Sequence, residues 1–371
     1  MLDIAIVGGG LSGLSLAKRL LNTNRIFAVF ESRNRFGGRI FSLLPSVKNE
    51  SYTPASSKSD FKYDLGPSWI WPESQPRIAQ FIGQNKIDVY SQWTSGNSLY
   101  QTDSDLPPHA YVDHTTYGAA RRIKGGAYRL VETLLQLLPQ QSLKLNHHLL
   151  EVNNKNDFVE LHFGFESSRF IVKAKQVVIT VPPRLLVNTV SFNPVLDMRM
   201  RELMKNTATW MAGHAKVVVR YPRAFWRKAD FSGNVLAAYR GAVLGEIFDA
   251  CSANAEQAAL SGFFALPAVL RSRYRSDLEV MILDQLVSLF GREAAKPDEI
   301  IIKDWFDAQL TATRADESPP PSHPQYGHPW LQLDHWSDKL YFGGTETASQ
   351  LGGYLEGALE SAERVAKCLL A

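Results

Sequence analysis

Residues 2–13 read LDIAIVGGGLSG and leave little freedom in how this chain begins to fold. The short apolar, β-branched run predicts a buried strand. An apolar-periodic stretch to about Leu21 predicts a helix. Between them stands Gly8-x-Gly10-x-x-Gly13. The first glycine allows a tight turn, the second a close backbone approach to a pyrophosphate, and the third close packing of helix on strand. Leu11 and Ser12 open the helix, whose free N–H groups and partial positive charge suit phosphate. Residues 26–30 predict a second strand ending at Glu31, eighteen residues past Gly13, where an acid can hold ribose hydroxyls. The unit is a βαβ dinucleotide-binding motif. The fingerprint alone does not separate NAD from FAD.

The bulk numbers agree with a globular protein of this size. A chain of 371 residues has room for two domains, and 45% hydrophobic residues are ample for a core. A net charge of +3 argues neither for nucleic acid nor for an anionic membrane as partner. Two cysteines, Cys251 and Cys368, suit a reducing compartment. No residue spacing suggests a metal site. No apolar run is long enough to span a bilayer, and the first strand begins at once, without a leader. The expectation is therefore a cytoplasmic protein.

Further along, residues 42–60 are polar and predict a mobile surface loop. A helix is expected over about 74–85 and another over 125–138, the latter with a glycine start. Residues 143–181 alternate apolar and polar and predict a meander ending in the buried strand 176–181. Strands are expected over 213–221 and 235–248, and a helix over 276–290. SPPPSHP (318–324) is a rigid extended connection. Residues 340–371 predict a strand, a glycine turn and a long helix. ESRNRFGGR places Arg33, Gly38 and Arg39 just beyond the ribose site. These arginines either pair with phosphate or belong to a solvated basic loop.

Taken together, the GGG start, ESRNRFGGR, DLGPSW (64–69), KGGAYRL (124–130), VVITVPP (177–183), HAKVVVRYPRAFWRK (214–228), KDW (303–305) and FGGTETASQLGGYLEGALESAERVA (342–366) resemble the flavin-containing amine oxidase family of monoamine and polyamine oxidases. The resemblance implies an α/β fold: an FAD-binding Rossmann-like domain with an inserted, reduced α+β substrate domain. The FAD-binding part would comprise residues 1–72, 121–190 and 337–371, and the substrate part 73–120 and 191–336. It also implies that the backbone from Gly8 to Gly13 meets the pyrophosphate and Glu31 the adenosine ribose. Arg33, Gly38 and Arg39 would line the adenosine and phosphate side, and the backbone of Leu149 would meet the adenine. Gly66, Pro67, Ser68 and Trp69 would run beside the flavin. Gly344, Glu346, Gly353, Tyr354 and Leu355 would meet the ribityl chain and ring.

For catalysis the resemblance points to Lys216, matching a lysine that holds a water against flavin N5. By itself, a lysine in AKVVVRY reads as one residue of an alternating strand facing solvent. Trp305 matches an aromatic beside the flavin, and Tyr354 one wall of an aromatic substrate cage. Small amines and O2 are the implied reactants.

Three features depart from the family pattern. Counting from Lys303-Asp304-Trp305, Arg314 falls where monoamine oxidases carry a flavin-linked cysteine, so FAD is expected to be noncovalent. Ala315 falls where a second cage tyrosine would stand, and Tyr326 and Trp330 are the nearby aromatics available to replace it. The stretch between Gln92 and Arg121 is short, implying an open flavin completed by a bulky substrate, by a partner protein or oligomer, or used for another reaction. A renalase-like, tetrapyrrole or carotenoid oxidase and a non-catalytic flavoprotein subunit are the competing readings.

Overall fold

The computed structural model describes residues 1–45, 61–318 and 320–371. The expected opening unit is present as strand Leu2–Val7, helix Leu11–Leu20 and strand Phe27–Phe30. Gly13 is required because a Cβ there would come within 2.0 Å of the Gly8 carbonyl oxygen. Gly8 itself sits at φ +108, against Thr180.

Two sheets organise the molecule. The first has eight strands. At its centre, Leu2–Val7 runs parallel to both Phe27–Phe30 and the long strand Ser168–Ile179. Leu340–Phe342 adds to Ser168–Ile179 in parallel. Chain start and chain end thus meet in one layer, covered by helices Leu11–Leu20, Arg129–Leu137 and Leu355–Leu370, whose apolar faces share one core. The meander forms as His148–Asn154, Val159–Phe165 and Ser168–Ile179, paired antiparallel. Ser191–Asn193 closes that edge.

The second sheet has seven strands, in the order Glu299–Asp304, Ala215–Tyr221, Ala258–Phe264, Leu244–Asp249, Phe231–Ala237, Asn97–Gln101 and His109–Val112. Helix Leu278–Phe290 packs on it.

Several local expectations change. Ser42–Leu43 is a strand paired with Tyr63–Asp64, while residues 46–60 lie outside the described residues. Glycines 125 and 126 form a turn, and the helix begins only at Arg129, because both glycines take positive φ. The run 235–248 is not one strand but parts of two, Phe231–Ala237 and Leu244–Asp249, broken at Gly241. Helix Pro76–Gln84 contributes Ile78, Phe81 and Ile82 to the same core as the opening helix. The short stretch 92–121 holds a hairpin of two strands at the edge of the second sheet. Among the described residues, no helix is long and apolar enough to cross a membrane.

Candidate active site

A cavity of about 680 Å³ runs from the opening glycine turn to the second sheet. At one end it is walled by Gly8, Gly10, Leu11, Ser12, Glu31 and Arg33. This end has what a dinucleotide requires. The backbone at Gly10 is open, since a Cβ there would meet nothing within 4 Å, and Gly38 lies opposite. The helix starting at Leu11 has no side-chain cap, so its first N–H groups remain for an anion. The Glu31 carboxylate accepts from Gly9 N at 2.9 Å and Arg33 N at 2.9 Å, which holds it in the wall with lone pairs to spare. Arg33 also donates to the Thr311 hydroxyl at 2.8 Å. Leu149 lines the cavity beside an irregularity in strand pairing.

The middle is formed by Gly38, Arg39, Gly66, Pro67 and Ser68. A Cβ at Gly66 would fall 2.1 Å from the Arg39 carbonyl oxygen, so only glycine permits this approach of two backbones.

Lys216 stands at the far end. It is 1% exposed, and its Nζ donates to the Gly66 carbonyl at 3.0 Å and to Ser68 Oγ at 2.5 Å. The solvent-facing alternative for this residue is therefore wrong: its strand is covered on both faces. Burial drives its pKa down to about 7, against the opposing pull of Asp64. Asp64 is itself buried, which raises its pKa. Trp305 is fixed by a bond from its indole N–H to the Leu65 carbonyl at 2.9 Å. Trp69, Trp71, Phe263 and Tyr354 complete an aromatic wall.

Other residues lie away from the cavity surface. Gly13 packs helix on strand, and Gly344 and Glu346 lie behind the wall. Glu346 is fully buried and pairs with Arg39 at 2.6 Å, while its Oε2 has no partner among the described residues. Arg314 and Ala315 stand exposed on a short turn. Beyond Trp305 this segment lines the cavity at Gln309, Leu310 and Thr311, and among the described residues Arg314 and Ala315 then turn outward. Neither Tyr326 nor Trp330 lines the cavity. Tyr326 donates to the Ala208 carbonyl at 2.8 Å and packs under Gly352, and Trp330 lies 40% exposed in a separate groove. His323, outside the cavity lining, stacks on the back of the wall at Tyr354, with ring centroids 4.9 Å apart, and Trp210 closes edge-on against His323.

The cavity residues that the sequence reading did not single out include Trp71, Trp210, His214, Glu246 and Phe263. His214 stands two residues before Lys216, a spacing that in a strand places side chains on one face, and that signal was available. Burial lowers its pKa, with Arg271 adding to the effect. Glu246 and Trp210 carried no local signal.

The family model described as flavin containing amine oxidoreductase matches residues 93–370, and an NAD(P)-binding Rossmann-like model matches residues 6–84. The chain is 24% identical to human amine oxidase [flavin-containing] B, with 99% of this chain and 86% of that one aligned. It is equally similar to horse amine oxidase [flavin-containing] A, with 100% and 85% aligned. Among solved structures, a putrescine oxidase double mutant superposes with TM-score 0.78 at 16% identity, covering 100% of this chain and 99% of that one. Cyclohexylamine oxidase from Brevibacterium oxydans IH-35A superposes with TM-score 0.78 at 17% identity, covering 99% and 98%. A Rossmann-like cradle joined to an aromatic cavity with a buried lysine, and a family match over most of the sequence, lead to one conclusion: this chain belongs to the flavin-containing amine oxidoreductases, enzymes that work with FAD.

Proposed function

We propose that the protein oxidises the C–N bond of a small amine with noncovalently held FAD. The observation that carries this reading is the continuity of the nucleotide cradle with an aromatic cavity that ends at buried Lys216. When bound, FAD supplies the electron acceptor for a hydride from the carbon beside the amine nitrogen, and O2 takes the electrons onward to give hydrogen peroxide.

The chain's own residues bind and orient. Gly8, Gly10, Leu11, Ser12 and Gly13 form the turn that meets the pyrophosphate. Glu31 holds the ribose, Arg33, Gly38 and Arg39 face the adenosine and phosphate side, and the Leu149 backbone meets the adenine. Gly66, Pro67, Ser68 and Trp69 run along the ring, with Gly353, Tyr354 and Leu355 opposite. Gly344 and Glu346 act from behind, Glu346 by holding Arg39. Trp69, Trp71, Phe263 and Tyr354 orient the amine and exclude water, while Trp305 braces the turn that carries Gly66. Lys216, with a pKa near neutrality, holds a water at the reacting edge. Neutral His214 can accept a proton from an arriving ammonium. Neither Cys251 nor Cys368 lines the cavity, which supports noncovalent flavin. The reduced cysteines suit the cytoplasm.

Purified protein should be yellow, and acid precipitation should leave the colour in the supernatant. Anaerobic addition of an amine should bleach the flavin, and air should restore it with stoichiometric peroxide. Colour retained in the washed pellet would overturn the noncovalent claim. A flavin that no amine in a broad panel bleaches would overturn the reaction.

A further inference from the structure

We propose that Glu246 anchors a second positive charge on the substrate, so that the preferred substrate is an α,ω-diamine or another amine with a distal cationic group. This rests on the amine-oxidation reading and names its substrate class.

Lys216, Phe263 and Glu246 are direct cross-strand partners on three adjacent strands, Ala215–Tyr221, Ala258–Phe264 and Leu244–Asp249. Directly paired residues project to the same face, so the three side chains form a row, and all three line the cavity. Two strand spacings separate the ends of the row by about 10 Å at the backbone. That separation suits a short aliphatic chain whose reacting end lies toward Lys216. A pairing irregularity between Leu244 and Glu246 re-aims the strand where the carboxylate enters the cavity.

The carboxylate is incompletely satisfied. Glu246 Oε1 accepts the Tyr117 hydroxyl. Among the described residues no other hydrogen bond reaches its side chain, and no lysine, arginine or histidine pairs with it. Lys216 donates to Gly66 and Ser68 rather than to Glu246, and Phe263 stands in register between the two, so the charges of Lys216 and Glu246 act on each other only at longer range. The half-buried carboxylate sits beside Phe263 in the cavity wall, and its remaining lone pairs are open to a cation from outside. Trp69 packs on Tyr117 with ring centroids 5.0 Å apart and holds its hydroxyl toward the acid. The rings between the two charged ends form a sleeve for methylene groups and add cation–π attraction for the distal ammonium.

The test compares kcat/KM for diamines of three to six carbons with monoamines of equal length and with the mono-N-acetylated diamines. The wild-type enzyme should prefer the best diamine by at least about tenfold, with an optimum in chain length. Losing one charge-assisted contact by Glu246→Gln should raise KM for that diamine about 10–100-fold more than KM for the matched monoamine. Tyr117→Phe should erode the same ratio by a smaller factor. The wild-type comparison needs no variant, so a poorly folding variant does not spare the proposal. Equal kcat/KM for diamines and matched monoamines, or an unchanged ratio in Glu246→Gln, overturns the anchor and leaves amine oxidation standing. A wild-type flavin that no amine bleaches overturns both.

Discussion

Lys216 shows how one residue carries a pH dependence that can be measured. Its ammonium is stripped of water, and its pKa falls from 10.5 to about 7. The folded state therefore binds fewer protons than the unfolded state between those values, and its stability rises with pH across that window. Below about pH 7 both states carry the charge, and the burial penalty is present in full. Above 10.5 both are neutral, and it is gone. Lys216→Met removes the titration and keeps the stem. Relative to wild type, the variant should be most favoured below about pH 7, and its advantage should shrink by on the order of a few kcal/mol as pH rises toward 10.5. Urea unfolding at several pH values measures this, and a difference that stays constant with pH would refute it. The sequence pattern around Lys216 fits a half-exposed strand equally well. What buries it is the arrival of Ser68 and Gly66, about 150 positions away.

Among the secondary-structure elements, helix Pro76–Gln84 is capped from the other end of the chain. Its N-cap residue, Gln75, makes no side-chain cap. Instead Glu356, 1% exposed, accepts from Arg77 N at 3.1 Å and Ile78 N at 2.9 Å. Glu356→Ala would strand two helix-end donors and should destabilise the protein by about 2–4 kcal/mol. The neighbouring Arg77–Glu363 pair is partly exposed, so Glu363→Ala should cost about 0–1 kcal/mol. Equal losses in denaturant melts of the two variants would contradict this assignment. Helix periodicity predicted both elements. Nothing local marks Glu356 as a cap, because its partners lie 278 and 279 positions earlier.

Across the whole molecule, the ends are tied through the cofactor cradle. Ser12 bonds the Gly343 carbonyl, and Arg39 meets Glu346. The cavity they border also contacts the second sheet at Lys216, Glu246 and Phe263. A ligand filling it binds the folded state alone and stabilises it by mass action, about 4 kcal/mol at a thousandfold excess over Kd. Stripping FAD should therefore lower the thermal midpoint of the entire transition, and adding FAD back should restore it. Identical midpoints with and without cofactor would mean that the cradle is not the FAD site.

Local sequence determined the elements whose information lies within one turn or one strand. The glycine fingerprint is such a case, since steric limits at Gly8 and Gly13 act over a few residues. The final helix is another, its apolar stripe repeating at helical spacing. The tertiary structure alone decided which polar residues lose their water. Glu246 faces the cavity because its strand pairs with Ala258–Phe264, which pairs with Ala215–Tyr221, and no residue adjacent to it in sequence records that order. His323 braces Tyr354, and Arg314 and Ala315 turn away from the cavity, for the same reason. Burial and charge pairing are set by segments far apart in the chain, and they become visible only when the sheets have closed around the site.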